Sequence, residues 1–357
     1  MTLAVSSAYC RRAMSVAAPL RIGVVGVGRI GALHAETLSG LDGVSLFLAD
    51  ADPLRAAEVA GALGATAAES PEELLDDGLD AVVIATSTQG HVPLLRLAAA
   101  ARVPAFCEKP VALELAALAE VSDEVAAAGI TVQVGFQRRF DPGYRAARDA
   151  VVSGELGNLL LVRAATHDPA PPAEAYIATS GGIFRDLSIH DFDAIRYVTG
   201  EEIVEVYADG AVRETEWFAR HDDVDAAVVV VRLSGGALGI VSSARHDPLG
   251  YDVRLELFGA AESIVVGVDS RSPIRSVEPG AIQPGVGYRN FVERFDRAYR
   301  EELVAFVETV RSRGKSPCTL EDARAALSVA LAADRSRTER RPVRIKGVGL
   351  ARMRSNS

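Results

Sequence analysis

The stretch that decides the fold is Arg21-Ile22-Gly23-Val24-Val25-Gly26-Val27-Gly28-Arg29-Ile30-Gly31. Its apolar first half is typical of a buried strand, and a helical pattern begins at its end. Gly26, Gly28 and Gly31 have the spacing G-x-G-x-x-G. In this motif the glycines permit a tight turn, close approach of a pyrophosphate, and close packing of helix on strand. The stretch therefore predicts a phosphate-binding turn at a helix N-terminus.

A second apolar segment, residues 44–49, ends in Asp50, about 20 residues after the last glycine. An acidic side chain at this distance binds the adenosine ribose hydroxyls of a dinucleotide. Asp50 is followed by Ala51 with no arginine beside it, so the sequence predicts NAD rather than NADP. The alternative is a plain sheet turn without a ligand, because a chain with 31 glycines contains chance matches. We assign the cofactor to Gly26, Gly28, Arg29, Ile30 and Asp50.

The composition limits the remaining possibilities. A length of 357 residues predicts two domains, and a net charge of −10 argues against nucleic acid or an anionic membrane surface as partner. Cys10, Cys107 and Cys318 stand far apart, so neither a disulfide framework nor a zinc site is expected. The scattered histidines predict no metal. The separated cysteines fit reduced, cytoplasmic conditions. Absence of an apolar run of about 18 residues argues against a membrane span.

Strand and helix patterns alternate up to residue 134, which is typical of a doubly wound parallel sheet, the Rossmann fold. The predicted strands are 21–25, 44–49, 80–85, 104–107 and 131–134. The predicted helices are 29–39, 53–63, 92–101 and 113–128. The fold class is therefore α/β.

Beyond residue 134 the pattern changes to long strands with short turns, which predicts a large, mostly antiparallel sheet. These strands are 158–167, 203–213, 224–233, 237–246, 251–258 and 262–268, and the helices are 143–153, 290–312 and 319–334. A last strand is predicted at 342–345. We divide the chain into a flexible extension (1–19), a cofactor domain (20–140), a substrate and oligomerisation domain (141–345) and a disordered tail (346–357).

Ligands of doubly wound sheets bind beyond the carboxyl ends of the strands. This rule adds Thr86, Ser87, His91 and Glu108 to the cofactor site. Lys109 follows the next strand, where a nicotinamide is expected, and an ammonium there stabilises a developing alkoxide. The alternative is an ordinary solvated lysine.

The third informative place is the segment 181–193, in which Asp186, His190 and Asp193 fall at i, i+4 and i+7. This spacing predicts one helical face that carries a histidine between two carboxylates. We expect Asp186 to fix the imidazole tautomer of His190 and to favour its charged form, as in proton transfer. The alternative is a helix that Asp186 caps, with His190 at the surface.

Three motifs taken together resemble the Gfo/Idh/MocA oxidoreductases. They are Gly26-x-Gly28-Arg29-x-Gly31-x-x-His34-Ala35, Glu108-Lys109-Pro110 and Gly181-Gly182-x4-Asp186-x3-His190. Within that family the segments 135–141, 250–254 and 290–299 resemble inositol dehydrogenases.

The resemblance implies oxidation of a ring hydroxyl of a cyclitol, myo-inositol or a close isomer, with hydride transfer to NAD. It implies catalytic roles for Lys109, Asp186 and His190, and it makes Arg138, Asp193 and Tyr251 polyol contacts. It also implies a homo-oligomer, a dimer or tetramer, formed through the open face of the second sheet. Gln137 stands where the family commonly has an apolar residue, which puts the favoured stereoisomer in doubt.

Other functions remain open from the sequence. A dehydrogenase of a pyranose or amino-inositol has the same motifs. An NAD-dependent glycosidase oxidises, eliminates and reduces without net NADH. A non-catalytic NAD-binding sensor keeps the fold without turnover, because a fold does not imply a function.

Overall fold

The computed structural model describes residues 18–345, so all but the last two residues of the extension predicted over 1–19, and the whole tail predicted over 346–357, lie outside the described residues. Within residues 18–345, no helix is long and apolar enough to cross a membrane.

The first half of the chain forms a six-stranded parallel sheet. Its strands are β1 (Leu20–Val25), β2 (Val44–Ala49), β3 (Thr66–Ala67), β4 (Ala81–Ile84), β5 (Ala105–Glu108) and β6 (Val132–Gly135). The helices between them are α1 (Arg29–Ser39), α2 (Pro53–Leu63), α3 (Pro71–Asp76), α4 (Thr88–Ala101) and α5 (Leu115–Ala128). The strand order β3-β2-β1-β4-β5-β6 confirms the predicted doubly wound fold and places the switch point between β1 and β4.

The second half forms a seven-stranded sheet with the order β12-β11-β7-β10-β9-β8-β13. These strands are β7 (Leu159–His167), β8 (Ile203–Ala211), β9 (Ala226–Leu233), β10 (Leu238–Ala244), β11 (Asp252–Gly259), β12 (Ser263–Val266) and β13 (Val343–Arg344). Among the described strands of this sheet only β7 and β10 pair in parallel, so the predicted mostly antiparallel sheet is confirmed.

Six helices accompany this second sheet. They are α6 (Pro142–Val152), α7 (Glu174–Ser180), α8 (Ile189–Thr199), α9 (Trp217–Arg220), α10 (Phe291–Ser312) and α11 (Leu320–Glu339). Side chains of β9 alternate between buried and exposed, because one sheet face packs on helices and the other stays open.

The two closing helices join the halves. Leu303 and Phe306 of α10 pack with Ile22 and Phe106 of the parallel sheet. In α11, residues near its start pack with the first sheet and residues near its middle pack with the second. The boundary at residue 140 stays a prediction, because 291–339 belongs to both cores.

Several short elements were not predicted from the sequence. β3, α3, α7 and α9 have seven residues or fewer, which is too short for a periodic pattern. Helix α4 begins at Thr88 rather than at residue 92. A π-helical turn over Phe184–Ser188 leads directly into α8, and this loose turn changes the geometry of the site described next.

Candidate active site

The glycine turn joins β1 to α1 as predicted from the motif. Gly26 has a φ of +87°, and a Cβ there lies 2.8 Å from the backbone oxygen of Ala85. At Gly31 a Cβ lies 1.7 Å from the Gly26 oxygen, so the helix packs on the turn only with glycine. At Gly28 a Cβ meets no described atom, within residues 18–345, closer than 4 Å. The protein's own packing therefore does not require Gly28, and its open side fits a ligand that approaches the backbone.

The residues around this turn also fit a bound dinucleotide. Helix α1 begins after Gly28 without a side-chain cap, which leaves its first N–H groups for an anion. Next to it, the Asp50 carboxylate accepts hydrogen bonds from the backbone N–H of Val27 (2.7 Å) and Asp52 (2.9 Å). Asp50 thus fixes the turn and lies where the ribose of a dinucleotide is expected. Gly28, the start of α1 and Asp50 together fit NAD.

The expectation that no arginine lies beside Asp50 was wrong. The guanidinium of Arg55 lies 3.7 Å from the Asp50 carboxylate, although no arginine is next to Asp50 in the sequence. The cause is that Asp52 caps α2 at once, so the first helical turn brings Arg55 back over the strand end. A guanidinium is therefore available beside Asp50, and the carboxylate itself carries the preference for NAD.

The loops after β4 and β5 are held together by His91. Its ring nitrogens lie 2.8 Å from the Pro110 oxygen and 3.1 Å from the Thr86 oxygen. Burial lowers the pKa of His91, so a neutral ring donates to one of these two carbonyls. The structure thus places His91 as a link between two loops, with Thr86 and Ser87 at the start of α4.

Glu108 is the last residue of β5 and Lys109 follows it, and their side chains face in different directions. Glu108 Oε1 lies 2.7 Å from Nε2 of His34 on α1, and its Oε2 accepts a hydrogen bond from the Lys109 backbone (3.1 Å). Lys109 precedes a cis peptide bond to Pro110. The two contacts of Glu108 anchor the backbone at Lys109 to α1, and the Lys109 side chain reaches across the cleft.

A buried acid lies behind this anchor. Glu302 of α10 is fully buried, and neither of its carboxylate oxygens has a partner among residues 18–345. Burial, and then the charge of Glu108, raise the pKa of Glu302 well above its usual value. A neutral Glu302 lies beside the Glu108 carboxylate without charge repulsion, so the closeness of His34, Glu108 and Glu302 does not require a metal. These three side chains are close enough to hold one. A second such group is His167, Asp247 and Asp252.

Lys109 and Asp186 meet across the cleft between the two sheets. The Lys109 ammonium donates to the backbone oxygen of Asp186 at 3.0 Å and lies 3.4 Å from its Oδ1. Oδ1 also accepts the Tyr176 hydroxyl at 2.7 Å, and Oδ2 accepts Arg245 at 2.7 Å. Burial alone raises the pKa of Asp186, but Arg245 and Lys109 outweigh it and lower the pKa to about 2.

The expected pairing of Asp186 with His190 is wrong. Among the described residues, Asp186 makes its hydrogen bonds to Lys109, Tyr176 and Arg245, and the buried Nδ1 of His190 has no partner. The physical reason is the π-helical turn, which winds more loosely than the α-helix on which the i, i+4 spacing was based. Gly181 and Gly182, both with positive φ, lead the chain into this turn.

The charge state expected for His190 was also wrong. Burial, and then the positive charges of Lys109 and Arg138, lower the pKa of His190 well below its usual value. Its ring packs edge-on against Phe136, with the centroids 6.0 Å apart. His190 is therefore neutral near pH 7, the form that accepts a proton.

The three expected polyol contacts lie deep in the structure. Asp193 is paired through both oxygens with Arg139, at 2.6 and 2.9 Å, and so does not share the surroundings of Asp186. Arg138 pairs with Asp191 and donates to Thr166 at 2.9 Å. Tyr251 is 4% exposed, against 1% for Arg138 and for Asp193. Roles in substrate binding stay predictions for these three residues.

Sequence reasoning missed three members of the site. Arg245 and Tyr176 hold Asp186, and Asp168 holds Arg245 at 3.0 Å. None of them belongs to a motif with a fixed spacing, so no sequence signal identified them. The resulting cluster places a charged lysine and an ionised aspartate near a neutral histidine. Such a set can bind a hydroxyl, accept its proton and stabilise the oxygen.

Both halves of the chain match domains of one known protein family. Residues 20–136 match a family described as an oxidoreductase family with an NAD-binding Rossmann fold, abbreviated GFO_IDH_MocA. Residues 144–265 match the GFO/IDH/MocA C-terminal domain.

Individual proteins give the same result. The chain is 40% identical to a myo-inositol 2-dehydrogenase of Thermotoga maritima, over 92% of this chain and 99% of the other. It is 38% identical to a scyllo-inositol 2-dehydrogenase (NAD(+)) of Bacillus subtilis, over 91% and 96%. Among solved structures, it resembles a scyllo-inositol dehydrogenase of Lactobacillus casei with bound NAD(H) and scyllo-inositol. The TM-score is 0.83 at 28% identity, over 92% of this chain and all (100%) of that one.

Proposed function

Because the chain belongs to the Gfo/Idh/MocA oxidoreductase family, we propose that it oxidises a ring hydroxyl of a cyclitol, myo-inositol or a close isomer, to the ketone. The relatives named above are inositol dehydrogenases, and they are similar over nine-tenths of the chain. NAD, when bound at the glycine turn, supplies the hydride acceptor. The observation that carries the proposal is the contact of Lys109 with Asp186 beside a neutral His190.

Each side chain has a distinct part in this reaction. The Lys109 ammonium donates a hydrogen bond to the reacting hydroxyl and stabilises the oxygen as negative charge develops on it. His190, neutral because it is buried, accepts the hydroxyl proton at a ring nitrogen. Asp186 stays ionised and holds the ammonium in place. Asp186 and His190 are both buried, and charges interact more strongly away from water.

Steady-state turnover tests the proposal directly. The purified protein is assayed for NADH with a panel of cyclitols, pyranoses and an aryl glycoside, each with NAD and with NADP. Fast NADH formation with an inositol and NAD supports the proposal. Turnover of pyranoses alone contradicts the substrate class, and release of the aryl group without net NADH identifies a glycosidase.

The open face of the second sheet supports a homo-oligomer. Five apolar side chains on this face are between 39% and 48% exposed: Tyr207, Val228, Val230, Leu238 and Ile240. Contiguous apolar surface of this kind marks protein interfaces, and the partner proposed here is a second copy of the chain. Light scattering after size exclusion is expected to give a dimer or tetramer, and Val230→Glu a smaller species. Val152→Glu, at an exposed position on α6, is the control.

A further inference from the structure

Tyr176 is an exposed tyrosine whose hydroxyl is nevertheless engaged in the centre of the site. The residue as a whole is 48% exposed, whereas its hydroxyl lies 2.7 Å from Oδ1 of Asp186. Tyr176 belongs to α7, a short helix that was not predicted from the sequence. This helix follows the proline-rich segment 168–172. The ring therefore borders the open cleft, and only its polar end reaches the buried cluster.

The direction of this hydrogen bond is clear. Burial, and then the charge of Asp186, raise the pKa of Tyr176, so the phenol keeps its proton and donates it to the carboxylate. The charge of Arg29, the first residue of α1, acts on this hydroxyl in the opposite direction and lowers its pKa by less.

The position of Asp186 is defined by three donors. Arg245 holds Oδ2, while Oδ1 is shared by Tyr176 at 2.7 Å and the Lys109 ammonium at 3.4 Å. Of the two groups on Oδ1, the phenol is closer and is carried by a ring with few rotatable bonds. Without the phenol, Oδ1 keeps only the Lys109 ammonium at 3.4 Å, and the closer acceptor of Lys109 is the backbone oxygen of Asp186 at 3.0 Å.

Helix α7 itself is firmly attached. Ile177 is 3% exposed and anchors one face, and Glu174 forms a two-pronged ion pair with Arg220 at 2.9 and 2.8 Å. The segment before α7 is fixed at Asp168, which pairs with Arg245. Tyr176 is therefore presented to Asp186 by a supported element rather than by a free loop.

We propose that Tyr176 is a positioning residue, whose hydroxyl fixes Asp186 Oδ1 against the Lys109 ammonium and so sets where the reacting hydroxyl is held. This inference rests on the proposed function for its effect on turnover. Because Tyr176 acts through Asp186, its removal lowers the rate of the chemical step more than it weakens the binding of NAD.

Tyr176→Phe tests the proposal, since it removes the hydroxyl and keeps the ring. The matched control is Tyr288→Phe, which removes a phenol that donates to Asp269 at 2.8 Å outside the cleft. We expect kcat to fall about tenfold in Tyr176→Phe with the KM for NAD unchanged, and the control to match the wild type. An unchanged kcat, or a lower KM for the cyclitol with unchanged kcat, overturns the proposal.

A double-mutant cycle of Tyr176→Phe and Asp186→Asn separates this inference from the proposed function. The kcat of the double variant is expected to equal that of Asp186→Asn alone, because Tyr176 acts through Asp186. If the two residues acted independently, their losses in kcat would multiply. The same four proteins are compared by Tm, where the double variant is expected to show less than the sum of the single shifts. If the wild type oxidises no cyclitol, the proposed function fails while the Tm cycle still reports on the contact. Additive Tm shifts overturn the contact itself.

Discussion

The Lys109 ammonium lies 3.0 Å from the backbone oxygen of Asp186 and 3.4 Å from its carboxylate, although 77 residues separate the two in the chain. One residue follows a strand of the parallel sheet, and the other lies in a π-helical turn that covers the second sheet. The two halves of the chain therefore build one site at their junction.

Lys109→Ala is expected to lower kcat by about 10²–10⁴-fold, because the alkoxide loses its positive partner. NAD affinity, measured by quenching of the single tryptophan or by calorimetry, is expected to stay within about twofold of the wild type. Lys315→Ala, at an exposed lysine, is the control. Near-normal turnover of Lys109→Ala contradicts the assigned role.

The pH dependence of kcat/KM tests the state of His190. Its pKa lies well below 6.5, so the neutral base is already fully formed at pH 7. We expect kcat/KM to stay level from pH 8 down to 6.5 and to fall only at lower pH, as His190 takes up a proton. His190→Asn is expected to lose that acid limb together with about 10²–10⁴-fold in rate. A limb centred on 6.5, or one that persists in the variant, argues for another base.

Asp50→Ser tests the origin of the cofactor preference. Loss of the carboxylate is expected to reduce kcat/KM for NAD by about 10- to 100-fold, the range for a hydrogen bond to a charged group. The kcat/KM for NADP is expected to rise in Asp50→Ser, because the Arg55 guanidinium already lies beside this position. The double variant Asp50→Ser/Arg55→Ala is the control and is expected to lose that gain. Equal NADP rates in the two variants contradict a part for Arg55.

Arg245→Met is expected to lower the free energy of unfolding by about 3–5 kcal/mol, because Asp168 loses its ion pair with Arg245 and the buried Asp186 keeps only the more distant Lys109. Urea unfolding followed by circular dichroism gives this quantity. Arg96→Met removes exposed ion pairs with Glu120 and Glu124 and is expected to cost about 0–1 kcal/mol. Equal losses in the two variants show that burial of the Arg245 pairs has no special effect.

Much of the parallel sheet was predictable, because most of its strands are short apolar runs and helices follow them in strict alternation. β1, for example, begins and ends within one residue of the expected bounds. The glycine motif gave the turn for the same reason, since local chain geometry alone demands Gly26 and Gly31.

The interior of the site was predictable only in part. Lys109, Asp186 and His190 follow from their motifs, but the contacts among them depend on a π-helical turn that an α-helical spacing cannot reveal. Arg245 reaches Asp186 from 59 residues away in the chain, and this distance leaves no local pattern. Long-range pairing of buried charges is a property of the tertiary fold, so sequence periodicity does not report it.

The central claim is that hydride passes from a ring carbon of a cyclitol to NAD in this cleft. The most direct measurement is a single turnover with myo-inositol that carries deuterium on every ring carbon, followed by mass spectrometry of the cofactor and the product. The account predicts reduced cofactor that is one mass unit heavier than ordinary NADH, together with an equal amount of keto-inositol. Unlabelled or absent NADH, with the protein folded and NAD bound, contradicts it.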